Sequence, residues 1–315
     1  MPLANSNAAD CRLPTADSNA TGSDCQLKTG NSVSDLPVTI YSPESPLANP
    51  GKLVKEIFGD IWRCRELTWI LFTRDLKAQY RQSYFGYVWL FVPVISTTIV
   101  WMFLNSTQVI QVAETPIPYA AYVLLGSMIW GVFTASVNQP LMSFEAGKSV
   151  FMKLKVPPEA FILAGLSKIV FELLIKMIVL VPVFIALQIM PASTAFLFPV
   201  GMACTVLIGM AIGFLMIPIG SLYSDVGRLV TTGLSFGMYV TPVVYPPPTE
   251  GWAATLVQWN PLTPFVMATR DWLTLGHSEY ALPMLIITAI AAVFLLIGMV
   301  IFRVVLPHLI ERMGM

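Results

Sequence analysis

Residues 74–93 read RDLKAQYRQSYFGYVWLFVP, and the character of the chain changes within them. Trp69, Phe72, Leu76 and Tyr80 recur at spacings of three and four, so they share one helical face, while Arg74, Lys77 and Arg81 lie roughly opposite. A helix of this kind rests in a bilayer interface with its cations toward anionic headgroups. At Gly86 the charges stop, and none returns before Glu114. The chain therefore enters a membrane here and leaves its basic flank in the cytosol.

The composition agrees. Apolar residues make up 56% and charged residues 11% of the chain, with a mean hydropathy of +0.70. Soluble domains carry about 25% charged residues, so a multispanning membrane protein is expected rather than a soluble enzyme with an anchor. The formal net charge is zero, which argues against a nucleic-acid partner. Cys11, Cys25, Cys64 and Cys204 show no CxxC spacing, and with two histidines in all no metal site is expected. Cys204 lies in an apolar run and reads as a small buried residue.

Working outward, residues 1–51 are polar and aperiodic and read as a disordered cytosolic tail, with no cleaved signal peptide expected. Residues 52–85 read as two interfacial helices, the first carrying Leu53, Val54, Ile57, Phe58, Ile61 and Trp62, the second running from Leu67 to Ser83. Neither is long or apolar enough to cross about 30 Å of hydrocarbon. The fold expected is an all-α membrane protein with six spans over 86–306. They are Gly86–Leu104, Tyr119–Val137, one within Phe161–Met190, Phe196–Leu222, Leu229–Val244 and Leu282–Leu306. Residues 307–315 form a short C-terminal end. Of the 18 Lys and Arg residues, 15 fall on one side of this arrangement, and Arg270 alone falls in the opposite loops. Both termini are then cytosolic. The pairs Gly209/Gly213 and Gly233/Gly237 allow close helix approach, within one chain or between two.

Several segments invite chemistry. Gly147-Lys148-Ser149 looks like the end of a phosphate-binding loop, but that loop needs glycine where Met142 stands, so no nucleotide site is assigned. Residues 145–155, with Glu145, Lys148, Lys153 and Lys155, read either as a solvated loop or as a short helix docking on a cytosolic partner. Lys168, Glu172 and Lys176 recur every fourth residue inside the third span, so Glu172 can pair with either lysine. Each lone charge at mid-bilayer costs roughly 2.5–3.5 kcal/mol, so these groups must pair, snorkel or face a polar cavity. The long outer loop, 245–281, holds Trp252, Trp259 and Trp272, which read as an interfacial belt or as flat platforms for sugar rings. Ala253–Trp259 reads as a short helix dipping back from the outer surface.

Three local patterns coincide in order. Arg74-Asp75-Leu76-Lys77 with Tyr80-Arg81, Gly86, Trp89 and Pro93 resembles the start of the membrane domain in ABC-2 type export permeases. Thr241-Pro242-Val243-Val244-Tyr245-Pro246 resembles the end of that family's fifth span, and Asn260-Pro261-Leu262-Thr263-Pro264 with Arg270-Asp271 resembles its outer-loop motif. The branch most similar exports polysaccharides such as lipid-linked O-antigen, capsule or teichoic acid. Phe85 departs from the pattern, which more often has an aliphatic residue there, and the long polar tail is atypical.

The resemblance implies a homodimer of this chain forming the pore in a bacterial inner membrane, with two separate ABC ATPase subunits below that bind ATP and Mg. This chain would hold no cofactor and would not be an enzyme by itself. Residues 145–155 would seat on the ATPase, and the interfacial helix would gate the cytosolic side. Trp69, Tyr80, Tyr84, Tyr87 and Trp89 are candidates for the substrate entrance, and Trp101, Tyr239 and Tyr245 for the channel or its outer mouth. Arg74, Lys77 and Arg81 are candidates for attracting the glycan–lipid pyrophosphate or for contacting headgroups of membrane lipids. Two rivals stay open: an ABC-2 exporter of another cargo, and a membrane-embedded transferase acting on a lipid-linked sugar. The second needs a cluster of acids or a metal, whereas Glu250, Arg270, Asp271, His277 and Glu279 are scattered. A secondary transporter would require inverted repeats, and none is evident.

Overall fold

The computed structural model describes residues 62–81, 84, 86–109, 114–151, 157–248 and 250–313, together with residue 59. The polar tail, most of the first interfacial helix, Phe85, Lys153 and Lys155 lie outside the described residues. Among the described residues the architecture is all-helical. The helices are α1 (Arg65–Tyr80), α2 (Val92–Ser106), α3 (Tyr119–Phe151), α4 (Glu159–Ala186), α5 (Phe198–Gly220), α6 (Ser224–Val240), α7 (Gly251–Trp259), α8 (Thr263–Thr274) and α9 (Ala281–Met313). Four of them, α3, α4, α5 and α9, are long and apolar enough to cross a membrane.

The axis of the bundle is α3, which packs against α2, α4, α5, α6 and α8. Its tightest partner is α5. A Cβ placed on Gly213 would lie 2.5 Å from the Val137 carbonyl oxygen, and one on Gly209 would lie 2.5 Å from Ser136 Cβ. Gly220 meets Leu141 in the same way. The first glycine pair therefore serves packing inside one chain. The second is split: Gly237 meets Trp130, whereas Gly233 faces open space. On its other side α5 carries α9, where Phe302 stacks edge-on against Phe144 and Phe214.

Antiparallel to α3 runs α6. Gly227 lies over Leu141, Thr231 donates to Asn138 Oδ1 at 3.3 Å, Gly237 covers Trp130, and the carbonyl of Val243 closes on Gly126. From Leu141 to Tyr122 this ladder follows about 28 Å of α3 at 1.5 Å per residue. Beyond it α3 continues past Lys148, whose Nζ donates to the Ser221 carbonyl at 3.4 Å. One end of the bundle thus gathers Lys148 and the α5–α6 turn. The other gathers Tyr122, Tyr245 and Arg270.

Three expectations change. The first span is not one helix from Gly86: a 3-10 turn, Gly86–Leu90, precedes α2. Pro93 sits in the first turn of α2, where its missing N–H is tolerated, and Gly86 has a φ of +48° that a side chain would strain. Residues 145–155, read as either a solvated loop or a short separate helix, are over 145–151 the final turns of α3. Finally, α1, expected to rest in the interface, turns Phe72 of its apolar face onto another helix. Cys64, Leu71 and Phe72 are buried, while Trp69 and Ile70 are exposed, because α1 docks on α4 through Phe72 and Phe171 at 6.0 Å rather than lying free.

The glycine packing is testable. Gly213→Val should abolish monodisperse protein in detergent, because the new side chain meets a carbonyl that cannot retreat. Gly131→Ala, which meets nothing within 4 Å, should leave yield and melting temperature unchanged. Equal behaviour of the two variants in size-exclusion and thermal-shift measurements would refute the close α3–α5 approach.

Candidate functional site

After α6 the chain does not continue as helix, because Thr241 is extended (φ −93°, ψ 141°) and Pro242 follows. The segment Thr241–Val244 is buried, so its backbone groups need partners. Tyr119 donates its hydroxyl to the Val244 carbonyl at 3.0 Å, and Tyr122 donates to the Tyr245 carbonyl at 3.2 Å. Asn260 Nδ2 donates to Thr241 Oγ1 at 2.9 Å. Tyr245 turns back and donates its hydroxyl to the Tyr239 carbonyl at 3.0 Å, in the last turn of α6. On the open side, the Trp101 ring of α2 lies 6.5 Å from the Tyr239 ring. Trp101, Tyr239 and Tyr245 therefore form one cluster joining α2, α6 and the segment after it.

Beside this cluster a cleft of about 950 Å³ opens between α6 and α7. Gly233, Phe236 and Val240 form one wall, Trp252 and Trp259 the other, and Pro261 its end. Phe236, Trp252 and Trp259 are 67%, 81% and 83% exposed, so their ring faces are free of this chain's own core.

Underneath, α8 is buried almost along its whole length. Arg270 is 1% exposed, and its guanidinium carbon lies 3.6 Å from the centre of the Tyr122 ring. Its Nη2 donates to Met267 Sδ at 2.7 Å. Burial lowers its affinity for the proton, yet a guanidinium stays charged in proteins. Asp271 looks elsewhere and accepts from Ser278 Oγ at 2.9 Å. Burial pushes its carboxyl above the usual carboxylate range, against the Ser278 hydrogen bond and the charges of Arg270 and His277.

The entrance candidates do not join the cluster of Trp101, Tyr239 and Tyr245. Tyr87 packs on Phe171 of α4 at 5.8 Å, and Phe171 also carries Phe72, so the 3-10 turn and α1 share one anchor. Trp69, Tyr84 and Trp89 are exposed. The Tyr80 side chain lies outside what is described. Arg74 binds its neighbour Asp75 through Nε and Nη2, at 2.9 and 2.8 Å, while Lys77 and Arg81 are exposed.

At the opposite end Glu145 is exposed and Lys148 half-buried. Within α4 no ion pair joins Glu172 to Lys168 or Lys176. Lys176 is buried instead, and lines a cavity of about 60 Å³ with Phe91, Val94, Leu124 and Met128. The direct Glu172–Lys176 pair expected from spacing is not formed.

Sequence reasoning missed Tyr119, Tyr122 and the part played by Asn260. Tyr119 and Tyr122 stand three apart at the start of a span, which signals a shared face but not its partner. The partner, Tyr245, lies 123 residues away.

The chain is 24% identical to an O-antigen export system permease protein RfbA of Klebsiella pneumoniae over 249 residues, 76% of this chain and 91% of the relative. It is 24% identical to a protein of the same name from Myxococcus xanthus over 251 residues, covering 78% and 92%. A family model described as ABC-2 type transporter matches residues 66–274, from the first turn of α1 to the end of α8. That match takes in most of the chain, including α3 and α5 at its centre and the aromatic cluster at its end, and the chain belongs to the ABC-2 type transporter family.

Proposed function

We propose that this chain is the membrane subunit of an ATP-driven exporter carrying a lipid-linked polysaccharide across a bacterial inner membrane. The observation that carries this reading is the outward face of α6. On α4 the large outward residues are Val170, Leu174, Ile178, Val181 and Ile185, and on α9, from Leu282 to Ile301, they are aliphatic apart from Phe294, as lipid requires. From Leu229 to Val240 on α6 they are Leu229, Thr231, Thr232, Gly233, Ser235, Phe236, Tyr239 and Val240, so hydroxyls and rings fill the stretch between two aliphatic ends. Hydroxyls and aromatic rings alternating in this way suit a hydrated wall along which sugars slide. Each ring contact is modest and non-directional, so a polymer is guided without being trapped. The names of the permease relatives support the same cargo.

In this reading two copies of the chain face each other across α2 and α6, completing a path that one copy leaves open. Two copies of a separate ATPase, which binds ATP and Mg, dock at the Lys148 end through Glu145, Lys148, Lys153 and Lys155. The α2 segment with its 3-10 turn and the α6 ladder add to the four long helices to make six crossings, with both termini in the cytosol. The ladder supports this for α6, which starts beside the end of α3 and finishes beside its start. The entrance aromatics and the exposed cations of α1 then lie at the cytosolic interface, where Lys77 and Arg81 meet pyrophosphate or headgroups. Lys168, Glu172 and Lys176 serve helix packing behind α2 rather than a proton relay.

Deleting the gene should strip the lipid-linked glycan's polymer from the cell surface while it accumulates inside. A normal surface coat in the deletion strain would refute the cargo. Trp101→Ala, Tyr239→Ala and Tyr245→Ala should each slow export severalfold at unchanged protein level, read by pulse-labelling of surface glycan. Wild-type rates in all three would remove α6 from the path. Reversing charge at Glu145 and Lys148 together should reduce co-purification of the ATPase and ATP turnover by the complex, and the purified chain alone should show no ATP turnover.

A further inference from the structure

Arg270 is expensive where it lies. Its Nη1 is fully buried and has no hydrogen-bond partner, and Asp271 beside it is engaged by Ser278. A buried charge without a carboxylate partner is destabilising by several kcal/mol, and an apolar side chain of similar volume would pack at lower cost. What the guanidinium does have is the Tyr122 ring at 3.6 Å. A cation over a desolvated ring contributes about 2 kcal/mol, and it restricts that ring to one orientation. With the ring fixed, the Tyr122 hydroxyl reaches the Tyr245 carbonyl, and the Tyr245 hydroxyl reaches the Tyr239 carbonyl. Three residues from three separate parts of the chain thus connect a side chain inside α8 to the last turn of α6.

We propose that Arg270 is a positioning residue for transport: through Tyr122 and Tyr245 it fixes the outer end of α6, and with it the place of Tyr239 opposite Trp101. The function follows from the path assigned to α6 above, and the geometry does not depend on it. Arg270 touches no substrate. It sets where the outer end of α6 holds the Tyr239 ring beside Trp101 of α2, and so the shape of the wall that this copy presents to the path.

The test uses the full complex with its ATPase and the variants Arg270→Met, Arg270→Lys and Tyr122→Phe. Hydrogen exchange over residues 237–245, with α5 as an internal control, reads the position directly. Arg270→Met should exchange about tenfold faster over 237–245 and leave α5 unchanged, and export should fall about tenfold while ATP turnover is retained. Tyr122→Phe keeps the ring under the guanidinium and loses only the hydroxyl, so it should reproduce both effects even if Arg270→Met does not accumulate. Combining the two changes should add nothing further, because both break one chain of contacts. Arg270→Lys should recover part of the protection, since the cation is kept and the planar stack is lost. Unchanged exchange over 237–245 in both Arg270→Met and Tyr122→Phe overturns the proposal. Altered exchange with wild-type export, in cells where Tyr239→Ala also exports normally, instead overturns the path assigned to α6 and leaves the positioning chain standing.

Discussion

Helices in lipid gain little from burying apolar surface against one another, since the lipid tails are just as apolar. What holds this bundle is close shape fit, and it is concentrated where α5 lies against α3. Gly209, Gly213 and Gly220 bring the α5 backbone onto the stretch of α3 from Phe133 to Leu141. The helices on one side of the bundle follow from that contact. With α5 fixed, α9 packs on its far side, α8 caps its start through Gly201 against Thr269, and α6 is left the remaining face of α3.

The same arrangement separates the two ends chemically. Glu145, Lys148 and Arg228 stand at the end where α3 finishes and α6 begins. At the other end the one arginine of residues 245–281, Arg270, is enclosed by Tyr122 and Met267. Among the described residues the first end therefore presents cations to the surface, while at the second the arginine is buried.

Much of this was legible beforehand. The long apolar runs gave α3, α4, α5 and α9, since only length and hydropathy are needed to find them. The Gly209/Gly213 pair is readable as a close-packing face, and the short helix expected at Ala253–Trp259 is α7, whereas α8 was not expected. The misses share a cause. The docking of α1, the break before α2 and the partners of Tyr119 and Tyr122 are all decided by contacts with distant segments, and periodicity carries no information about those. Trp69 and Phe72 share one face of α1 by spacing, and only the contact with Phe171 of α4 decides that Phe72 is buried while Trp69 is exposed. Likewise Glu172 and Lys176 have the spacing of an ion pair, but packing between α2 and α3 draws Lys176 inward.

One feature of α3 bears on how the two ends communicate. It is unbroken from Tyr119 to Phe151, so the residues that support the outer aromatic cluster and the residues at the basic end belong to a single rod. A straight helix resists bending except where a rung of its hydrogen bonding is absent, and in α3 that place is Pro140. Pro140 is itself gripped, with its ring against Gly213. The weakest joint of the rod is splinted by its tightest neighbour, so a tilt imposed at Lys148 arrives at Tyr122 as a tilt rather than being absorbed as flexure on the way.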